Sequence, residues 1–203
     1  MKLLLASDIH GSAYYAKALC EIYEKERPDK LVLLGDLLYH GPRNDLPRDY
    51  DTKAVTALLN AHKNDILAVR GNCDAEVDQM VLAFPIMADY ATIFDRGRML
   101  FLTHGHLFHE DKLPNFSAGD VLIHGHTHER VLAERGDYVL LNPGSIALPK
   151  GDGRHSYAVY EDGTFTTKAT DGTVLETLTL SAPTHTKNGA ADDGKSQNTA
   201  GAT

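Results

Sequence analysis

The residues that decide the fold lie between Leu3 and Asp36: Leu3-Leu4-Leu5-Ala6-Ser7-Asp8-Ile9-His10 at one end, Leu31-Val32-Leu33-Leu34-Gly35-Asp36 at the other. Each is a short apolar run stopped by a polar turn, the pattern of a strand buried on both faces of a parallel sheet. Between them Ala16, Leu19, Cys20 and Tyr23 recur at helical spacing within Ala13 to Arg27, and Pro28 closes that helix. Strand, helix and strand in this order predict an α/β domain. Working outward, Ile66 to Val69 repeats the apolar run. Thr52 to His62, just ahead of it, reads as a second helix with Val55, Leu58 and Leu59 as its apolar stripe.

Past residue 90 the pattern changes. Tyr90 to Phe94 and Arg98 to Thr103 flank a turn at Asp95-Arg96-Gly97 and predict a hairpin. Val121 to Ile123 is short and apolar, and Arg130 to Glu134 and Tyr138 to Leu141 flank Arg135-Gly136-Asp137. Ser156 to Tyr160, Thr164 to Lys168 and Val174 to Leu180 alternate like antiparallel strands, with turns at Asp162-Gly163 and Asp171-Gly172. The expectation is an α/β fold of two packed mixed β-sheets flanked by helices. Ser181 to Thr203 has almost nothing strongly apolar and cannot offset its ordering entropy by burial. One domain over 1–180 and a disordered tail over 181–203 are therefore expected.

The 203 residues are 42% hydrophobic and 24% charged, which suits a globular domain with a substantial core. A net charge of −8 argues against broad nucleic-acid binding. Two bound divalent cations would reverse this locally, adding about four positive charges to one cleft. Cys20 and Cys73 are too few for a disulfide framework. The apolar start is broken by Ser7, Asp8 and His10 too early for a signal peptide, and no run approaches membrane-spanning length. A cytoplasmic protein without a membrane partner is expected. The outlier is histidine, present in 11 copies and clustered mid-chain.

Five short motifs follow strand-like runs: Asp8-Ile9-His10, Gly35-Asp36, Gly71-Asn72-Cys73-Asp74, Thr103-His104-Gly105-His106 and Gly125-His126-Thr127-His128. Strand carboxyl ends are where open α/β sheets place ligands. Each motif alone has a bland explanation: an Asx turn at Asp8, a plain turn at Gly35-Asp36, a helix cap at Asn72 or Asp74. His104 and His106 alone read as exposed positions of an alternating strand. His126 and His128, two residues apart, share one strand face. Together the five give carboxylates, imidazoles and an amide oxygen, a ligand set for Mn²⁺, Fe²⁺, Zn²⁺ or Mg²⁺ rather than for a thiolate-preferring metal.

In this order the motifs resemble the calcineurin-like metallophosphoesterase superfamily. Gly35-Asp36 running on to His40-Gly41-Pro42-Arg43-Asn44, with Gly71-Asn72-Cys73-Asp74 and Asn142-Pro143-Gly144-Ser145, resembles its small bacterial phosphodiesterases of the YfcE type. The resemblance spans roughly Met1 to Leu180 and implies an αββα sandwich. It also implies two divalent metal ions, Mn²⁺ foremost, with Mg²⁺, Zn²⁺, Ni²⁺ or Fe²⁺ as further choices. Asp8, His10, Asp36 and His128 would hold the first metal. Asp36, Asn72, His104 and His126 would hold the second, Asp36 bridging through its two oxygens.

A hydroxide shared by the two ions would attack a small phosphodiester substrate in line with the leaving oxygen. Asp74 is expected to orient an imidazole by accepting its free N–H. His106 has two readings, contact with substrate or water and a structural role. Arg43 and Asn44 are candidates to bind phosphate oxygens, against the plain reading of a solvated loop stiffened by Pro42 and Pro47. Cys73 stands where many superfamily members carry a proton-donating His. A thiol donates poorly to an alkoxide, which predicts a preference for good leaving groups such as aryl diesters. Asp36 is not followed by the Asp-Arg-Gly of protein Ser/Thr phosphatases, which argues against phosphoproteins. The alternatives are a phosphomonoesterase or nuclease using the same site, and a protein-binding scaffold like a retromer subunit of similar size. The resemblance also makes a homo-oligomer plausible.

Overall fold

The computed structural model describes residues 1–181. The expectation of a disordered tail falls, Ser181 apart, outside the described residues. Among the described residues no helix is long and apolar enough to cross a membrane.

The first half supplies β1 (Lys2–Ala6), α1 (Ala13–Glu26), β2 (Lys30–Leu33), α2 (Thr52–Ala61), β3 (Ile66–Ala68) and α3 (Glu76–Gln79). Among the described residues the second half supplies only strands: β4 (Tyr90–Asp95), β5 (Arg98–Thr103), β6 (Val121–Ile123), β7 (Arg130–Arg135), β8 (Tyr138–Pro143), β9 (Ser156–Glu161), β10 (Thr164–Ala169) and β11 (Val174–Thr179). Ser12 starts α1 by accepting the Tyr15 amide on its hydroxyl, and Asp51 starts α2 by accepting that of Ala54. The short α3 answers to the helix entry read as one alternative at Asn72 or Asp74, but its cap is Ala75. It has only one turn, too little for an apolar period to register.

Two mixed sheets form. One runs β11-β10-β9-β1-β2-β3, with β1, β2 and β3 parallel and β9 antiparallel to β1. The other runs β4-β5-β6-β8-β7, with β5, β6 and β8 parallel. Alternation along the strands divides the core. Leu3, Leu5, Val32 and Leu34 from the first sheet meet Leu100, Leu102, Ile123 and Leu141 from the second between the layers. Leu4, Ala6, Leu31 and Leu33 point the other way, onto Ala16, Leu19, Val55 and Leu59 of α1 and α2. Fully burying each such leucine stabilises the fold by about 1.5–3 kcal/mol.

The helical cover is uneven. Helices α1 and α2 pack on the six-stranded sheet, whereas Phe101, Leu122 and Leu140 on the far face of the other sheet pack against Phe108 and Phe116. Those two aromatics come from the irregular segment between β5 and β6, so side-chain bulk replaces a helix there. The carboxyl ends of β1, β2, β3, β5 and β6 all lead into the sequence motifs.

Candidate metal centre

The loops after β1 and β2 run side by side, His10 N–H donating to the Asp36 carbonyl at 2.9 Å and Gly11 N–H to that of Leu37 at 2.9 Å. This brings Asp8, His10 and Asp36 together. Among the described residues, five of the nine non-glycine residues with positive φ are Asp8, His10, Asp36, His126 and His128. Asp and His tolerate this left-handed region better than most residues, yet each such position still carries strain of order 1 kcal/mol. Glycines make the close approaches possible. A Cβ on Gly71 would overlap the Asp36 carboxylate, and one on Gly125 would overlap the Ser7 hydroxyl.

The side chains form two adjoining groups. In the inner one His128 Nε2 lies 3.3 Å and His10 Nε2 3.6 Å from Asp8 Oδ1, and the two nitrogens are 3.2 Å apart. In the outer one His104 Nε2 lies 3.0 Å from Asn72 Oδ1 and 3.2 Å from His126 Nδ1. Asp36 joins them: its Oδ2 is 3.6 Å from His10 Nε2 and 3.3 Å from His104 Nε2. Its Oδ1 accepts the Cys73 amide at 2.8 Å. One oxygen of Asp36 therefore faces both groups, instead of one oxygen for each.

Imidazole tautomers test whether these residues fit cations. His10, His104 and His128 each donate Nδ1–H to a backbone carbonyl, those of Tyr39 (2.8 Å), Leu34 (2.7 Å) and Leu148 (2.7 Å). A carbonyl can only accept, so the neutral ring carries its lone pair on Nε2, aimed inward. Lone pairs facing one another beside two carboxylates repel unless a positive charge lies among them. Asp8 Oδ1 is moreover buried without a hydrogen-bond partner among the described residues. The donor set fits divalent cations.

Without cations, protons fill that role. Burial disfavours charge on His104, but the Asp36 carboxylate and the charge of Asp8 outweigh it and push this imidazole up to about 9. His10 is raised in the same way against its burial, by Asp8 first. Burial, then the neighbouring His104 charge, takes His126 down to about 4. Asp8 is held well below the usual carboxylate range despite its burial, by the imidazoles of His10 and His128 beside it.

The remaining candidates are placed as follows. Asp74 does not orient an imidazole: its carboxylate accepts the backbone N–H groups of Gly71 (2.7 Å), Asp36 (2.8 Å) and Leu37 (2.9 Å). It ties the loop after β3 to the loop after β2. Cys73 is half-buried, and burial followed by the Asp36 charge pushes its thiol up to about 12. The His106 ring stands 5.4 Å from that of His104 and 6.2 Å from that of His126, centroid to centroid. Its buried Nδ1 has no partner among the described residues.

Arg43 and Asn44 line the same cleft of ≈ 580 Å³ as His10, Asp36, Asn72, His126 and His128, and the Asn44 amide donates to the His40 carbonyl at 2.8 Å. Sequence reasoning missed two contributors. Lys150 also lines the cleft, an isolated lysine in a loop without a motif to flag it. Ser145 donates its hydroxyl to the Asp8 carbonyl at 2.8 Å and so fixes the β1 turn. The Asn142-Pro143-Gly144-Ser145 motif was the available signal, and it carried no role.

A two-sheet α/β sandwich with a carboxylate–imidazole cluster at its strand ends defines a metallophosphoesterase-type fold. The chain belongs to the calcineurin-like phosphoesterase superfamily, whose domain matches residues 1–164. It is 46% identical over 162 residues to phosphodiesterase YfcE of Escherichia coli, covering 80% of this chain and 88% of that protein. The solved structure of Escherichia coli YfcE, described as a phosphoesterase, superposes with a TM-score of 0.87 at 42% identity, covering 89% of this chain and all of the other. Vps29 of Chaetomium thermophilum, 17% identical with a TM-score of 0.60 over 90% of this chain and all of that one, shares the fold alone.

Proposed function

We propose that this chain hydrolyses small phosphate diesters with the help of two divalent cations, Mn²⁺ foremost. The observation that carries the reading is the set of three inward-aimed Nε2 lone pairs around Asp8 and Asp36. Asp8, His10, Asp36 and His128 would hold one ion, and Asp36, Asn72, His104 and His126 the other. When bound, the pair supplies hydroxide near neutral pH and neutralises charge developing on phosphate oxygens.

The chain's own residues do the rest. The Tyr39, Leu34 and Leu148 carbonyls keep three rings oriented, so that little reorganisation accompanies substrate entry. Arg43 and Lys150 set positive charge along the cleft for an anionic ester, with Asn44 beside them. A neutral Cys73 thiol next to Asp36 is a weak proton donor, which favours alcohols that leave unaided. Cys73→His is expected to shift preference from aryl toward alkyl diesters, read as the ratio of their kcat/KM values. The intact ligand set argues against a purely protein-binding scaffold. The domain limits of 1–180 and a cytoplasmic setting with both cysteines reduced belong to the same reading.

The test is hydrolysis of bis(p-nitrophenyl) phosphate and p-nitrophenyl phosphate by metal-stripped protein, with Mn²⁺, Mg²⁺, Zn²⁺, Ni²⁺ or Fe²⁺ added back. Diesterase activity restored by metal and abolished in His126→Ala supports it. A folded protein inert with every ion would favour the protein-binding scaffold, and turnover of the monoester alone would make the chain a phosphomonoesterase.

A further inference from the structure

A second cavity, ≈ 680 Å³, adjoins the metal cleft and is of a different character. Its lining includes Leu38 and Tyr39 from the segment after β2, Tyr50 ahead of α2, and Ala75, Val77 and Val81 around α3. Thr52, Lys53, Thr56 and Asp78 add polar groups to its wall, and two of these are already engaged. The Thr56 hydroxyl donates to the Thr52 carbonyl at 2.8 Å, and Asp78 accepts the Ala75 amide at 2.9 Å. Val77 is 66% and Val81 51% exposed, so this apolar surface faces water in the isolated chain.

Two residues join the cavities. Cys73 lines both, and its Sγ lies within 4.8 Å of ligand atoms of His10 and Asp36. Tyr39 accepts the His10 Nδ1–H on its carbonyl and also lines the apolar cavity. A phosphoryl group at the metal centre would thus have an apolar trough one side chain away.

We propose that this groove is the subsite for an apolar aryl or alkyl ester group of the diester, with Tyr39, Val77 and Val81 as specificity-determining residues. Its volume is that of a small-molecule pocket, and its continuity with the cleft through Cys73 points to part of the substrate rather than to a separate partner. Along the wall of Leu38, Ala75, Val77 and Val81 a sugar or other polyhydroxyl group would lose hydrogen bonds to water and regain none. The inference rests on the hydrolytic reading above and adds the substrate class.

Calorimetric titration of Mn²⁺-loaded full-length protein with methylphosphonate and octylphosphonate tests it, since the C–P bond resists hydrolysis. Octylphosphonate is expected to bind roughly 30-fold more tightly, for the apolar surface its chain removes from water. In Val77→Asp and in Val81→Asp that ratio should fall about tenfold, because an unpaired carboxylate then faces the chain. Val174→Asp, at an exposed site on β11, should keep it.

Equal affinities in a preparation that hydrolyses bis(p-nitrophenyl) phosphate would overturn the subsite and leave the hydrolytic reading standing. No turnover, together with phosphonate binding indifferent to metal, would sink the hydrolytic reading and the subsite with it. A wild-type dimer by sedimentation, lost in Val77→Asp while the ratio stays put, would also overturn the subsite and assign the groove to a second copy of the chain.

Discussion

The inner and outer groups of the metal centre share Asp36 but differ in nearly everything else. Asp8, His10 and His128 are buried, and with Asp36 they bring two carboxylates to two imidazoles. Asn72 is exposed and His126 half-buried, and with His104 they have Asp36 as their one carboxylate. The difference teaches that ligand count and affinity are separate matters. A cation in the inner group would meet twice the formal negative charge and less competing water, whereas the outer group relies on a neutral amide. The proposed second ion should therefore be the weaker and more readily exchanged.

The sharpest way to break this comparison is at the shared residue. Asp36→Asn should abolish both sites alike, lowering kcat/KM by roughly 10⁴-fold, with metal content by elemental analysis falling in step. If only one ion were lost, Asp36 would not be the bridge. Asn72→Ala attacks the outer group alone. It should weaken the second ion about 100-fold by calorimetry while the first stays, with activity returning at excess Mn²⁺. Asp74→Asn loosens the tie between the outer loop and Asp36 by turning an acceptor into a donor beside backbone N–H groups. Urea unfolding should show a loss of about 2 kcal/mol.

The gentlest probe is pH. In metal-free protein His104, raised to about 9, holds a proton that metal must displace. Apparent affinity of the outer ion should thus rise with pH, up to about tenfold per unit below 9, and level off above it. The sign for stability is opposite. A raised histidine stabilises the metal-free fold fully below its unfolded pKa near 6.5, and that contribution is lost as pH climbs through 9. Thermal midpoints of stripped and loaded protein across this window should therefore diverge.

Most strands were legible in the sequence because each short apolar run stops at a polar or Gly-containing turn. The motifs at those ends were legible for the same reason. Sheet order was not: β9 joins β1 although some 150 residues separate them, and pairing at that distance leaves no local trace. Nor was the use of Asp74 visible, since a buried carboxylate taken up by backbone amides and one serving an imidazole look alike in a sequence. The uneven helical cover was hidden too. Phe108 and Phe116 sit in a segment with no periodicity, and only the packed sheet shows what they are for.

The left-handed turns under five candidate ligands bear on how such a chain can drift. A β-branched replacement at residue 8, 36 or 126 would lose the donor atom and also force the turn to be rebuilt. Glycine or asparagine would silence chemistry and leave the loop where it is. A lineage that gave up hydrolysis while keeping this surface for another use would thus be expected to carry Gly or Asn at those turns. One that lost the shape altogether would show no such bias.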